Sequence, residues 1–243
     1  MLLHDERQHR PITRKMILTT IFKRLLARFN VRLVWAHRFP ICDINLLDLA
    51  VPYLMLREGD FQFVQIGAND GIGDDPLRHL ILAHGLNGLL VEPVPEFFSR
   101  LRENYKDQSQ LKFANCAIAT RDGTATLYRS VRLQNASLDK SCLLKLGLPE
   151  SDILTESVTC CTFKTLVEKH QIQKISLLVT DCEGFDFEVI KMCFAAGLHP
   201  EAIHFESINL SRQSSAECRA LLQSNGYKLV ESNVDTLAVR FQV

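Results

Sequence analysis

From Gly59 to the C-terminus, short apolar runs alternate with stretches of helical spacing. FQFVQIG (61–67), GLLVEP (88–93), LKFANCAIA (111–119), ISLLVTD (175–181) and EAIHFES (201–207) are continuous apolar segments bounded by turn residues, the pattern of strands buried on both faces. Between them, PLRHLILAHG, PEFFSRLRENY, FKTLVEKH, FDFEVIKMCFAAG and SSAECRALLQSNG carry apolar residues at helical spacing. Gly85 marks one helix end and Pro95 the first turn of another. DGTATLYRS predicts a turn and a short added strand. Residues 132–156 are polar and weakly patterned, and predict an insertion.

Alternating strands and helices at this spacing predict a mostly parallel, doubly wound α/β sheet with helices on both faces. The ending differs. YKLVES (227–232) and TLAVRF (236–241) are separated only by NVD, too short for a parallel crossover, so this pair is antiparallel. An open parallel sheet closed by an antiparallel hairpin strand is the topology of Rossmann-like methyltransferases, and separates them from dinucleotide dehydrogenases.

Before this domain, assigned to residues 59–243, residues 1–58 predict an N-terminal helical extension. In 13–30, Ile17, Leu18, Ile21, Phe22, Leu25, Leu26 and Phe29 share half of a helical wheel bordered by Arg24 and Arg28. Such a helix suits packing on its own domain or on a dimer partner, peripheral contact with an anionic membrane, or organelle targeting. INLLDLAVPYLML predicts a second helix that Pro52 limits.

The formal net charge is zero over 243 residues, but residues 1–40 carry nine Lys/Arg against two acids, which leaves the rest acidic. An acidic body is a poor nucleic-acid surface, since phosphate neutralisation supplies most of that affinity. The eight cysteines form no C-x-x-C pair and several lie in apolar runs, as expected of reduced, buried thiols in a cytoplasmic protein. No run approaches the ~18 apolar residues of a membrane span.

The first strand runs into VQIGANDGIGDD (64–75). At a strand's carboxyl end such a glycine loop is where an α/β sheet holds a nucleotide-type ligand. Asn69 takes the middle glycine position of G-x-G-x-x-G, and Asp70, Asp74 and Asp75 would repel a pyrophosphate. S-adenosylmethionine has no phosphate and carries an ammonium and a sulfonium, so carboxylates attract it. Its own carboxylate is expected to take backbone N–H groups at the loop and helix start. Glu92, ending the second strand, is placed to accept from ribose hydroxyls.

VQIGANDGIGDDPL, LLVEPVPEFFSRLRENY, FANCAIA, LLVTDCEGFDFEVIK and IHFES resemble, in order and spacing, the FkbM family of S-adenosylmethionine-dependent methyltransferases, chiefly O-methyltransferases of secondary metabolites and glycans. The likeness covers residues 59–243 and lies nearest the Q-I-G-A-N-D-G branch, with Gln65 where the commoner pattern has aspartate. It implies a Rossmann-like class I methyltransferase fold. It also implies that Gly67, Asn69, Asp70 and Gly71 surround the methionine end, Glu92 the ribose, and Cys116 and Ala117 the adenine.

Methyl transfer to a hydroxyl needs alignment and a base. Asp181 and Glu183 follow the fourth strand and Glu206 ends the fifth, so these three carboxylates are the candidate catalytic residues. Alternation puts His204 on the face of Glu206 and opposite Ile203 and Phe205, where a core role is expected of it. The three acids would also suit Mg²⁺; the reading adopted uses them without a metal. Gln134, Asn135 and Ser137 are polar positions able to bind a sugar-like acceptor. The function expected is O-methylation of a glycan, glycolipid or secondary metabolite. The competing expectations are a nicotinamide-dependent oxidoreductase and a non-catalytic methyltransferase-like scaffold.

Overall fold

The computed structural model describes residues 45–73, 75–131, 135–145, 147–232 and 234–240. The helix expected over 13–30, Asp74 and Gln134 lie outside them. The compact unit runs from Asn45 to Val243 and takes in the helix α1 (Leu46–Glu58), which the sequence pattern groups with the extension. The Asn45 side chain caps it by accepting from the Leu47 N–H at 3.0 Å. Pro52, expected to limit this helix, lies inside it. An internal proline costs about 3 kcal/mol, but Leu47, Val51 and Leu54 are buried, and each such side chain contributes about 1.5–3 kcal/mol.

Strands β1 (Gln62–Ile66), β2 (Asn87–Val91) and β3 (Leu111–Ala114) are followed in the main sheet by β8 (Leu177–Thr180), β9 (Ala202–Glu206), β10 (Tyr227–Glu231) and β11 (Asp235–Arg240). The order is β10-β11-β9-β8-β1-β2-β3. All neighbours are parallel except β11, which runs antiparallel to both β9 and β10. The fold is therefore the expected Rossmann-like methyltransferase arrangement.

Side chains alternate across the sheet. Val64, Ile66, Leu178, Ile203 and Phe205 pack under the helices α5 (Phe163–Lys169), α6 (Asp186–Ala195) and α7 (Arg212–Ser224). Phe63, Leu90, Leu177 and Val179 pack on the other face with α1, α2 (Arg78–His84) and α3 (Pro95–Asn104). Two apolar layers thus fix the sheet, and its carboxyl ends are left for polar loops.

Two expectations change. The third apolar segment is one strand in the sequence reading but splits in the structure. After Ala114 the Asn115 amide donates to the backbone oxygens of Glu92 (2.8 Å) and Pro93 (3.1 Å), and the chain leaves the main sheet. Its continuation β4 (Ala117–Ile118) joins a second sheet of order β4-β7-β5-β6. The supposed short strand and the end of the insertion are also longer than expected. β5 (Gly123–Ser130) pairs along its whole length with β7 (Ile153–Cys161), and β6 (Ala136–Ser137) and a short helix α4 (Lys140–Lys145) lie between them. Much of this hairpin is exposed, so its apolar signal is weak.

Candidate active site

The ends of β1, β2, β8 and β9 and the inner edge of the second sheet enclose a cleft of about 680 Å³. Among the described residues six carboxylates line it: Asp75, Glu92, Asp181, Glu183, Glu206 and Asp235. No lysine or arginine is among its described lining residues. Negative charge does gather at this sheet edge, but from strand ends more than from the glycine loop.

The loop explains itself residue by residue. Gly67 has φ +82°, and a Cβ there would sit 2.0 Å from the Asp181 carbonyl oxygen. Gly71, φ +72°, would place a Cβ 2.4 Å from the Tyr105 ring. Both glycines are thus demanded by neighbouring protein, and Gly67 lines the cleft whereas Gly71 does not. Asp70 is also outside the lining. Its Oδ1 accepts the N–H groups of Ile72 (2.9 Å) and Gly73 (3.1 Å), and so folds the turn.

The loop's other N–H groups are committed as well. Those of Gly67 and Ala68 donate to the Val91 carbonyl, that of Gly71 to the Ala68 carbonyl, that of Asp70 to Asn69 Oδ1 and that of Asn69 to Glu92. Every N–H from residue 67 to 73 is therefore taken within the protein. The loop's share of the expected N–H groups is thus not open to a ligand carboxylate, nor to a phosphate.

Glu92 is buried and both its oxygens are held: Oε2 by the Asn69 N–H (2.9 Å) and Oε1 by the Val94 N–H (2.8 Å). Burial pushes its carboxyl up to about 7 against these two bonds. Each oxygen keeps a second lone pair. Cys116 and Ala117 also line the cleft. The Cys116 thiol lies 3.3 Å from that of Cys161, and the seven described cysteines are free.

Asp181, Glu183 and Glu206 come together across β8 and β9. Asp181 opens onto the cleft, but the surrounding wall and then Asp186, Glu183, Asp235 and Glu92 push its carboxyl up to about 7. Glu183 is buried with φ +50°. Burial raises its carboxyl, opposed by the Asn135 amide that donates to Oε1. Glu206 is pushed up to about 8 by burial, then by Asp181 and Glu183, opposed by Asn209. His204 lines the same wall, and burial lowers its proton affinity although Asp235 lies 4.0 Å away. Among the described residues no three His, Cys, Asp or Glu side chains are grouped to hold a metal ion.

Three features escaped the sequence reading. Asn209 donates to both Glu183 (3.0 Å) and Glu206 (2.8 Å); only its place in the loop just past Glu206 hinted at it. Asp186 ties the β8–α6 turn by accepting from the Thr180 hydroxyl (2.7 Å) and the Cys182 N–H (3.2 Å). Asp75 gathers the Tyr105 hydroxyl (2.8 Å), Gln65 Nε2 (3.2 Å) and the Leu77 N–H (2.9 Å). A carboxylate thus stands beside Gln65, where the commoner family pattern carries its own. Asn135 and Ser137 do line the cleft.

A parallel sheet closed by β11, with its polar cleft at the strands' carboxyl ends, is the architecture of a Rossmann-like methyltransferase. The chain belongs to the FkbM methyltransferase family: residues 65–229 match the family model described as the Methyltransferase FkbM domain. Among solved structures it is similar to methyltransferase FkbM from Methylobacillus flagellatus KT, at 14% identity and a TM-score of 0.49, over 77% of this chain and 47% of that one. The chain thus spans about half the length of that relative. It is also similar to an O-methyltransferase from Bacillus cereus in complex with SAH (11% identity, TM-score 0.44, 94% and 93% covered). A third likeness is to the N-terminal domain of human METTL16 in complex with SAH (10%, 0.44, 94% and 84%). No curated protein matches the sequence. Among the described residues no helix is long and apolar enough to cross a membrane.

Proposed function

We propose that the protein is an S-adenosylmethionine-dependent O-methyltransferase acting on a hydroxyl of an uncharged acceptor such as a glycan, glycolipid or secondary metabolite. The observation that carries this reading is a cleft with six carboxylates and no lysine or arginine among its described lining, beside a glycine loop whose N–H groups are all engaged. Such a site suits a cationic, phosphate-free donor and disfavours a nicotinamide dinucleotide. The residues fit the donor in a further respect. The side-chain amide oxygen of Gln65, Oε1, is buried in the cleft wall without a hydrogen-bond partner among the described residues, and an ammonium would supply the missing donor.

When bound, S-adenosylmethionine supplies a methyl group activated by its sulfonium. The chain's own part follows from position. Glu92 accepts from ribose hydroxyls with its remaining lone pairs, and Cys116 and Ala117 border the adenine. Asp75 and Gln65 face the cationic end. On the far side Asp181, Glu183 and Glu206 surround the acceptor hydroxyl, and a carboxylate there takes its proton, which contributes about 10²–10⁴ in rate. Ser137 and the polar rim of the second sheet orient the acceptor.

Calorimetry decides first. S-adenosylhomocysteine binds and NADH does not; saturation by NADH with no binding of S-adenosylhomocysteine overturns the reading. Acceptor screening then compares neutral sugars with their phosphorylated and uronic-acid counterparts, and turnover is expected only with the neutral set. Donor binding with no turnover on any acceptor would instead favour a non-catalytic scaffold.

A further inference from the structure

Glu183 and Glu206 leave different strands yet share one amide nitrogen, Asn209 Nδ2, which donates to an oxygen of each at 3.0 and 2.8 Å. Those two oxygens are therefore no farther apart than the two bonds laid end to end. The pair is not symmetric. Asn135, entering β6, donates to the second oxygen of Glu183, while among the described residues Glu206 accepts only from Asn209. Glu183 also holds a left-handed backbone conformation, φ +50°, which costs a non-glycine residue on the order of 1 kcal/mol and sets its carboxylate between the two amides.

Resting on the methyl-transfer reading above, we propose that the two asparagines are positioning residues that divide the roles of the carboxylates. Glu183, held by two N–H donors, is the ionised member and takes the acceptor's proton. Glu206, held by one, keeps a proton and donates it as a hydrogen bond to an acceptor oxygen. N–H donation favours the charged form of a carboxylate, and two carboxylates this close, Glu183 buried and Glu206 half-buried, do not both ionise readily at neutral pH.

The groups around the pair reinforce this. Asp181 and Asp186 both press on Glu206, Asp235 stands opposite it in the β9–β11 register, and His204 is pushed towards its neutral form by burial. With no lysine or arginine in the cleft's described lining, a proton on the pair is the available compensation. In the transfer the acceptor O–H bond breaks and its proton moves to Glu183. The freed electron pair forms the new C–O bond, the pair of the donor's C–S bond returns to sulfur, and the proton later passes to solvent.

The test is a carboxyl ¹³C NMR titration of the full chain labelled at glutamate, with resonances assigned through Glu183→Gln and Glu206→Gln. In the unmutated protein Glu183 titrates at lower pH than Glu206. Asn135→Leu raises the Glu183 midpoint by about one unit with Glu206 little moved, and Asn209→Leu raises both; where a leucine variant fails to fold, the alanine variant is read instead. Coincident or reversed midpoints in the unmutated protein, or midpoints indifferent to Asn135, overturn the assignment. Calorimetry with S-adenosylhomocysteine on the same sample separates the two ideas. The expected midpoints without binding leave the pair standing and remove methyl transfer, and binding with the wrong order does the reverse.

Discussion

The backbone N–H of Asn69 donates to the Glu92 carboxylate at 2.9 Å, so the acid at the end of the second strand holds the loop that leaves the first. Glu92 is therefore a support of the loop as well as a wall of the cleft. Replacing it by glutamine leaves one acceptor oxygen for two N–H groups, those of Asn69 and Val94. Glu92→Gln is expected to cost about 1–3 kcal/mol in denaturant unfolding and to weaken S-adenosylhomocysteine binding by calorimetry. Unchanged stability and affinity would contradict both roles.

The cleft makes stability depend on pH in a fixed direction. Asp186 is pushed to about 6, Glu92 and Asp181 to about 7 and Glu206 to about 8, above the ordinary 3.8 of Asp and 4.5 of Glu. Between those limits the folded chain binds more protons than the unfolded one, so stability falls as pH rises. Unfolding midpoints should decline from about pH 5 to pH 8. A cationic donor favours the ionised forms, so S-adenosylmethionine should bind more tightly as pH rises through this window, with proton release visible in buffers of different ionisation heat.

The two loop glycines should fail differently. At Gly67 a methyl group meets the backbone oxygen of Asp181, which cannot swing away, whereas at Gly71 it meets the side chains of Tyr105 and Leu101. Left-handed backbone alone costs about 1–3 kcal/mol. Gly67→Ala is expected to exceed that range and to abolish S-adenosylhomocysteine binding. Gly71→Ala should destabilise while leaving a measurable binding signal.

Tyr105 is buried and its hydroxyl donates to Asp75. Tyr105→Phe should lower stability by about 1 kcal/mol, because Asp75 keeps its bonds from Gln65 and Leu77. Thermal unfolding checks this; no change would show that the hydroxyl is dispensable.

The thiols of Cys116 and Cys161 should react unequally. Their hydrogen bond pushes Cys161 down and Cys116 up. Alkylation followed by mass spectrometry should find Cys161 labelled first, and prior binding of S-adenosylhomocysteine should slow labelling of Cys116 on the cleft wall.

What the sequence made legible is what continuous apolar runs encode. β1, β2, β8 and β9 are buried on both faces, so their composition announces them, and the NVD gap set β10 and β11 antiparallel. Asp181, Glu183, Glu206 and Glu92 followed because they stand at the ends of those strands. The second sheet stayed hidden because β5 and β7 expose much of their length. The continuation of α1 past Pro52 depends on the sheet it packs against. Asp70 looked like a ligand contact, since sequence gives a carboxylate's presence but not whether a nearby turn consumes it. Asn209 and Asp186 act through partners that only the folded chain brings near.

Asn135 belongs to the polar stretch between β5 and β6, yet its amide reaches Glu183 in the turn that follows β8. Under the proposed roles, the segment that would meet the acceptor would also tune the group that takes its proton. Exchanging this hairpin with that of a relative would therefore change which molecules enter and how readily they react in one stroke. Selectivity and turnover in this lineage would drift together, and an engineer wanting new scope at full speed would have to carry Asn135 across with the graft.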